Sequence, residues 1–126
     1  MTNSVTLLVV DDDDVARFSY ARMARKIRTS EVTLLEAETG QDALDILTSH
    51  PVDIVILDYS LPGIDGIETL RRLRRAYPTM PVYILSGMDI GKIDGPAREA
   101  QATAVLSKED IRPDFLERLI SSLLTS

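Results

Sequence analysis

The chain has 126 residues, 44% of them hydrophobic and 27% charged, the make-up of one ordinary globular domain that can bury a real core. A net charge of −6 argues against a general nucleic-acid binder, and the lack of cysteine excludes disulfides, thiolate metal sites and cysteine nucleophiles. No apolar stretch approaches the roughly 20 residues of a membrane span and no basic-flanked leader opens the chain, so the expected compartment is the cytoplasm.

Short apolar runs alternate with amphipathic segments. The first run, Thr6–Val10, reads as a strand and is followed by four consecutive carboxylates, Asp11 to Asp14. Acids favour the positive end of a helix, so Asp13 and Asp14 are expected to open the first helix, leaving Asp11 and Asp12 at the strand end. That helix places Ala16, Tyr20, Met23 and Ile27 on one face. Arg17, Arg25 and Arg28 fall on the other, flanked by Arg22 and Lys26, and read as solvated. A second strand, Val32–Ala37, leads to Thr39, which can cap a helix burying Ala43, Ile46 and Leu47. His50 lies at the end of that helix, before Pro51, and reads as structural.

The third strand, Asp53–Leu57, runs into Asp58. Pro62-Gly63 marks a tight turn, Gly66 stands near the start of the third helix, and Asp65 is its expected cap. Leu70, Leu73 and Tyr77 would face inward, with Arg71, Arg72, Arg74 and Arg75 toward water. The fourth strand, Pro81–Leu85, is followed by Ser86. "DIGKIDGPAREAQA" contains Gly91, Gly95 and Pro96, and predicts a long loop with one or two turns starting near Pro96. The fifth strand, Thr103–Ser107, is followed by Lys108, and Leu116, Leu119, Ile120 and Leu123 form the buried stripe of the last helix.

Strands alternating with helices imply a parallel sheet with right-handed crossovers. The expected fold is a flavodoxin-like, doubly wound α/β domain spanning residues 1–126. It has five parallel strands in the order 2-1-3-4-5 and five helices, the fourth short or irregular. Ligands of such sheets bind beyond the carboxyl ends of the strands at the switch point, here between strands one and three. Asp11, Asp12 and Asp58 therefore converge there, with Ser86 and Lys108 nearby. Three carboxylates alone are unfavourable, and a hard divalent cation such as Mg²⁺ relieves them. Contiguous acids with no glycine at the sixth position do not suit a calcium loop. A lysine and a hydroxyl beside the metal suit a phosphoryl group, so the site reads as one for phosphoryl transfer.

"LLVVDDDDVAR", "DIVILDYSLPGIDGIE", "PVYILSG" and "AVLSK" together resemble the receiver domain of two-component response regulators, the family of the chemotaxis regulator, over essentially the whole chain. The resemblance implies that Asp58 accepts a phosphoryl group from a phosphohistidine on a sensor histidine kinase or a histidine phosphotransfer protein. It implies Mg²⁺ held by Asp12, Asp58 and the backbone carbonyl of Ser60, with Asp11 acting mostly through a metal-bound water. Lys108 and Ser86 would then contact the phosphoryl oxygens. In the family the first helix helps to dock the kinase, so charge reversal at Arg17 with Arg22 is expected to slow transfer from the partner only.

Two departures stand out. Where the family commonly carries an aromatic residue three positions before the lysine, this chain has Val105. Where a cis proline commonly follows the lysine, it has Glu109, and a cis bond there would cost about 3 kcal/mol. The reading that follows is a switch that orders or shifts Met88–Gly95 instead of rotating an aromatic. The sequence carries no DNA-binding helix pair, which suits a single-domain regulator, a phosphorelay shuttle or an excised receiver, with an unknown downstream protein as target. The alternative is a receiver-fold interaction module without the chemistry. A Mg²⁺-dependent phosphohydrolase fits less well, because its aspartyl nucleophile would follow the first strand and a cap would be needed.

Overall fold

The computed structural model describes residues 4–87 and 90–124. Five strands alternate with helices: β1 (Ser4–Val10), α1 (Asp14–Arg25), β2 (Glu31–Ala37), α2 (Gly40–Ser49), β3 (Ile54–Asp58), α3 (Gly66–Ala76), β4 (Val82–Ser86), α4 (Ile90–Glu99), β5 (Ala104–Ser107) and α5 (Pro113–Leu124). A short 3₁₀ turn, Lys108–Asp110, follows β5. The sheet is parallel throughout, in the order β2-β1-β3-β4-β5, as the alternation of elements predicts.

The apolar runs are continuous because the central strands are covered on both faces. Leu8, Val10, Val55, Leu57 and Ile84 point into a core closed by α2, α3 and α4. Leu7, Val9, Ile54, Ile56 and Leu85 point into a second core closed by α1 and α5. Each such buried aliphatic side chain contributes about 1.5–3 kcal/mol relative to an exposed one. Among the described residues, no helix is long and apolar enough to cross a membrane.

The caps follow the sequence. Asp13 accepts from Val15 N at 3.0 Å, Thr39 from Asp42 N at 3.0 Å and Asp65 from Glu68 N at 2.8 Å, each satisfying an orphan donor of a first turn. His50 caps the end of α2, its N–H donating to Ile46 O at 2.9 Å. Gly63 takes the left-handed conformation, φ 78°, that the turn before α3 requires.

Three expectations change. The segment read as a loop is the ten-residue helix α4, with Pro96 inside it. Pro96 forfeits one backbone hydrogen bond, but it is exposed, while Ile93, Ala97 and Ala100 are buried against the sheet. The helix closes by a Schellman motif: Ala102 N donates to Ala97 O and Gln101 N to Arg98 O, both at 2.9 Å, around Gln101 at φ 67°. Of the segment expected to move, Met88 and Asp89 lie outside the described residues and Ile90–Gly95 is helical.

Arg74 does not point simply to water. It is half-buried, and its guanidinium donates to Gln101 O, Tyr77 O and Met80 O at 2.9, 3.0 and 2.6 Å, tying the end of α3 to the following turn and to the end of α4. Burial lowers its pKa from the ordinary arginine value. Arg17, assigned to the solvated face of α1, is buried. The inward stripe is Arg17, Tyr20, Ala24 and Ile27, and Ala16 and Met23 flank it half-buried.

Candidate functional site

The register of the sheet assembles the site. Val10 pairs with Leu57, so the next residues, Asp11 and Asp58, emerge side by side between β1 and β3. Asp58 in turn pairs with Leu85, which puts Ser86 one step further along β4, and Ser86 pairs with Ser107, immediately before Lys108. Asp11, Asp12, Asp58, Ser86 and Lys108 thus stand at one end of the sheet, at the carboxyl ends of β1, β3, β4 and β5.

Asp11 and Asp58 are buried while Asp12 is exposed. One carboxylate oxygen of each lies within 4.8 Å of those of the other two. Among the described residues, this is the only group of three acidic or histidine side chains so placed. Lys108 Nζ lies 3.1 Å from Asp58 Oδ2 and 3.4 Å from Asp11 Oδ2, bridging the two buried acids. Asp11 Oδ1 accepts from Asp13 N at 2.9 Å, and Asp58 Oδ1 from Ser60 N at 3.4 Å, so each buried acid also holds the loop that follows it.

One ammonium does not offset the electrostatics of the pair. Burial, followed by the neighbouring charge of Asp11, raises the Asp58 pKa above the ordinary carboxylate value, although the hydrogen bond from Lys108 lowers it. Burial alone would lower the Lys108 pKa, but its hydrogen bond and charge interaction with Asp58 leave it raised, so the ammonium is retained. Tyr20 is pushed up to about 12, chiefly by burial and then by the charge of Asp11, so its phenol stays neutral beside the site.

The donor set suits a hard cation. It consists of carboxylate oxygens with no nitrogen or sulfur ligand, and two of its acids are withdrawn from water. Hence the residues present fit Mg²⁺ in kind and in placement.

Two residues shape the site without having been assigned to it from sequence. Arg17 Nη1 donates to Asp11 O, and Ser107 Oγ caps the turn that carries Lys108, accepting from Glu109 N at 3.3 Å. Arg17 had a readable signal, because it stands three residues before Tyr20 and seven before Ala24, on their stripe. The Lys108–Glu109 peptide is trans. Val105 is half-buried and packs against the α2–α4 core. Ser86 is buried, and Ser60 is exposed.

The family description "Response regulator receiver domain" matches residues 7–120. The chain belongs to the response regulator receiver family. This receiver domain is 35% identical over 119 residues to the response regulator MprA of Mycolicibacterium vanbaalenii, covering 94% of this chain and 48% of that protein. It is 31% identical over 104 residues to a cyclic di-GMP phosphodiesterase of Thermotoga maritima, covering 82% of this chain and 27% of that protein. The chain thus spans about half of the length of one of these curated relatives and about a quarter of the other. Among solved structures, a putative response regulator from Chloroflexus aurantiacus superposes with TM-score 0.83 at 31% identity, covering 98% of this chain and all of that one. The BeF3-activated DrrB receiver domain, at 23% identity and TM-score 0.79, shares the fold over the full length of both chains. Membership brings the general role of the family, phosphoacceptor signalling in two-component systems. Receiver domains generally bind Mg²⁺ at an acidic pocket, and this chain carries an acidic cluster of Asp11, Asp12 and Asp58.

Proposed function

We propose that residues 1–126 form one receiver domain in which Asp58 is the phosphoacceptor and a histidine kinase or histidine phosphotransfer protein is the donor. The observation that carries this reading is Asp58 itself, buried at the end of β3, 3.1 Å from Lys108 Nζ and clustered with Asp11 and Asp12. In the transfer, a carboxylate oxygen of Asp58 forms a bond to phosphorus as the phosphorus–nitrogen bond of the phosphohistidine breaks, and the imidazole leaves. Asp11, Asp12, Asp58 and the backbone carbonyl of Ser60 would hold Mg²⁺, which when bound neutralises charge on the phosphoryl oxygens.

The chain's own groups do the rest by position. Lys108 moves its ammonium from the free carboxylate to a phosphoryl oxygen, and Ser86 supplies a hydroxyl from the adjacent strand end. Charge neutralisation and alignment suffice for a loose transition state, so the transfer itself uses no general base. Hydrolysis restores the switch, with water adding to phosphorus and the Asp58 carboxylate leaving. Beyond promoting its own phosphorylation and dephosphorylation, the domain is assigned no enzymatic activity.

The test is direct. Protein incubated with Mg²⁺ and a small acyl-phosphate donor should acquire an acid-stable, base-labile adduct that Asp58→Asn lacks. No labelling of the wild type would favour the interaction module instead. Partner docking is assigned to α1, where Val15 and Phe18 are the large hydrophobic side chains left exposed among the described residues, one turn apart and next to the acids. Arg17 is unsuitable as a docking probe because it is buried. Phe18→Ala should therefore slow transfer from a phosphohistidine partner at least several-fold and leave labelling by the small donor unchanged. Equal loss in both assays would refute the assignment.

A further inference from the structure

The guanidinium of Arg17 occupies a place that the chemistry of Asp58 does not explain. It is buried at the junction of β1, α1 and β2. Its Nη1 donates to Asp11 O at 2.5 Å, its Nε lies 3.3 Å from Glu36 Oε1, and its Nη2 reaches Asp14 and, at 3.3 Å, Glu38 Oε1. The three carboxylates are largely exposed, so each ion pair alone contributes little to stability. Together they hold the planar fork in one orientation, aimed at a single carbonyl.

That carbonyl belongs to the peptide between Asp11 and Asp12. The peptide is rigid and planar, so the oxygen that Arg17 grips and the nitrogen that begins Asp12 move as one unit. Asp11 N is fixed from the other side by its bond to Ala37 O at 3.0 Å. The two proposed metal-binding side chains that follow β1, Asp11 and Asp12, thus spring from the two ends of one clamped plane.

We infer that Arg17 is a positioning residue for the divalent-cation site, presetting the Asp11–Asp12 peptide so that both carboxylates meet Asp58 at one ion. The inference rests on the reading of Asp11, Asp12 and Asp58 as the Mg²⁺ site. Charge alone makes the opposite prediction. Arg17 is a cation near the site, and its pKa is raised: burial lowers it, but the hydrogen bond and charge of Asp14 and the charges of Glu38 and Glu36 outweigh that. Deleting a positive charge beside a cation site should tighten Mg²⁺, whereas deleting a clamp should weaken it.

Titration calorimetry with Mg²⁺ alone decides the sign. Wild type, Arg17→Met and Arg17→Lys are compared at a temperature where melting curves show each to be folded. The expected result is about tenfold to hundredfold weaker Mg²⁺ binding in Arg17→Met, the range typical of lost outer-sphere support. Arg17→Lys keeps the stem and the charge but lacks the fork, so it should also bind more weakly, and it carries the test if the Met variant does not fold. Labelling of Asp58 by a small acyl-phosphate donor should recover in either variant at saturating Mg²⁺, which a general loss of structure would not allow. Unchanged or tighter Mg²⁺ binding in the variants, beside normal binding by the wild type, overturns this inference alone. No Mg²⁺ binding by the wild type overturns the site reading together with it.

Discussion

Asp58 is costly where it stands. Its folded-state pKa is raised, chiefly by burial, so the folded chain holds this proton more tightly than the unfolded chain does. The associated stability is present below the ordinary carboxylate pKa and is lost as pH rises through the raised value. In chelator at neutral pH, Asp58→Asn should therefore melt higher than wild type, and the gap should close on acidification below about pH 4. A gap that is constant across that range would show that the ionised carboxylate is not the destabilising group. Gly66 protects the same residue from the other side, because a Cβ there would lie 2.5 Å from Asp58 O and 2.8 Å from Tyr59 Cα, both backbone atoms that cannot give way cheaply. Gly66→Ala should cost roughly 1–3 kcal/mol in denaturant melts and displace Asp58 enough to slow labelling. Asp11, Asp58 and Lys108 were readable from sequence because each stands just past a strand-like run, and Asp12 because it adjoins Asp11 there. Arg17 was less so despite sharing the stripe of Tyr20 and Ala24, because a charged residue on a helix is ordinarily solvated, and only the acids ending β2 and opening α1 make its burial tolerable.

The strands were legible as elements because burial on both faces leaves uninterrupted apolar runs, and the helix starts because Asp13, Thr39 and Asp65 are caps with no competing role. The fourth helix was not. Its buried stripe is completed by the small residues Ala97 and Ala100, its interior carries Pro96, and its stop uses Gln101 where glycine would have announced it. Holding a non-glycine residue at φ 67° costs about 1–2 kcal/mol, part of which glycine returns through its freer unfolded chain. Gln101→Gly should thus raise stability by about 0.5–1 kcal/mol in urea melts. The side chain is exposed, and Arg74 holds the Gln101 backbone carbonyl, which the substitution keeps. Loss of stability would mean that the Gln101 side chain contributes something its exposure does not suggest.

At the scale of the molecule, the sheet register concentrates negative charge that a net −6 chain can ill afford. Residues far apart in sequence meet because β1 and β3 are neighbours, and that neighbourhood follows from the strand order. Under the proposed reading, Mg²⁺ binds the folded cluster and not the dispersed acids of the unfolded chain, so it stabilises by mass action. At a hundredfold excess over its dissociation constant the gain is about 2.7 kcal/mol, worth roughly 10 °C in melting temperature for a chain of this size. Simple salt also helps an acidic protein, by screening, so the melt must be compared at matched ionic strength in NaCl. A specific site predicts a large rise with Mg²⁺ and a small one with NaCl. Asp12→Asn should remove most of the difference, because Asp12 is the exposed member of the cluster and its loss leaves the buried pair and Lys108 in place. Equal shifts in the two salts, or an Asp12→Asn variant that responds as the wild type does, would mean that the acids are merely crowded and that no ion is held between them.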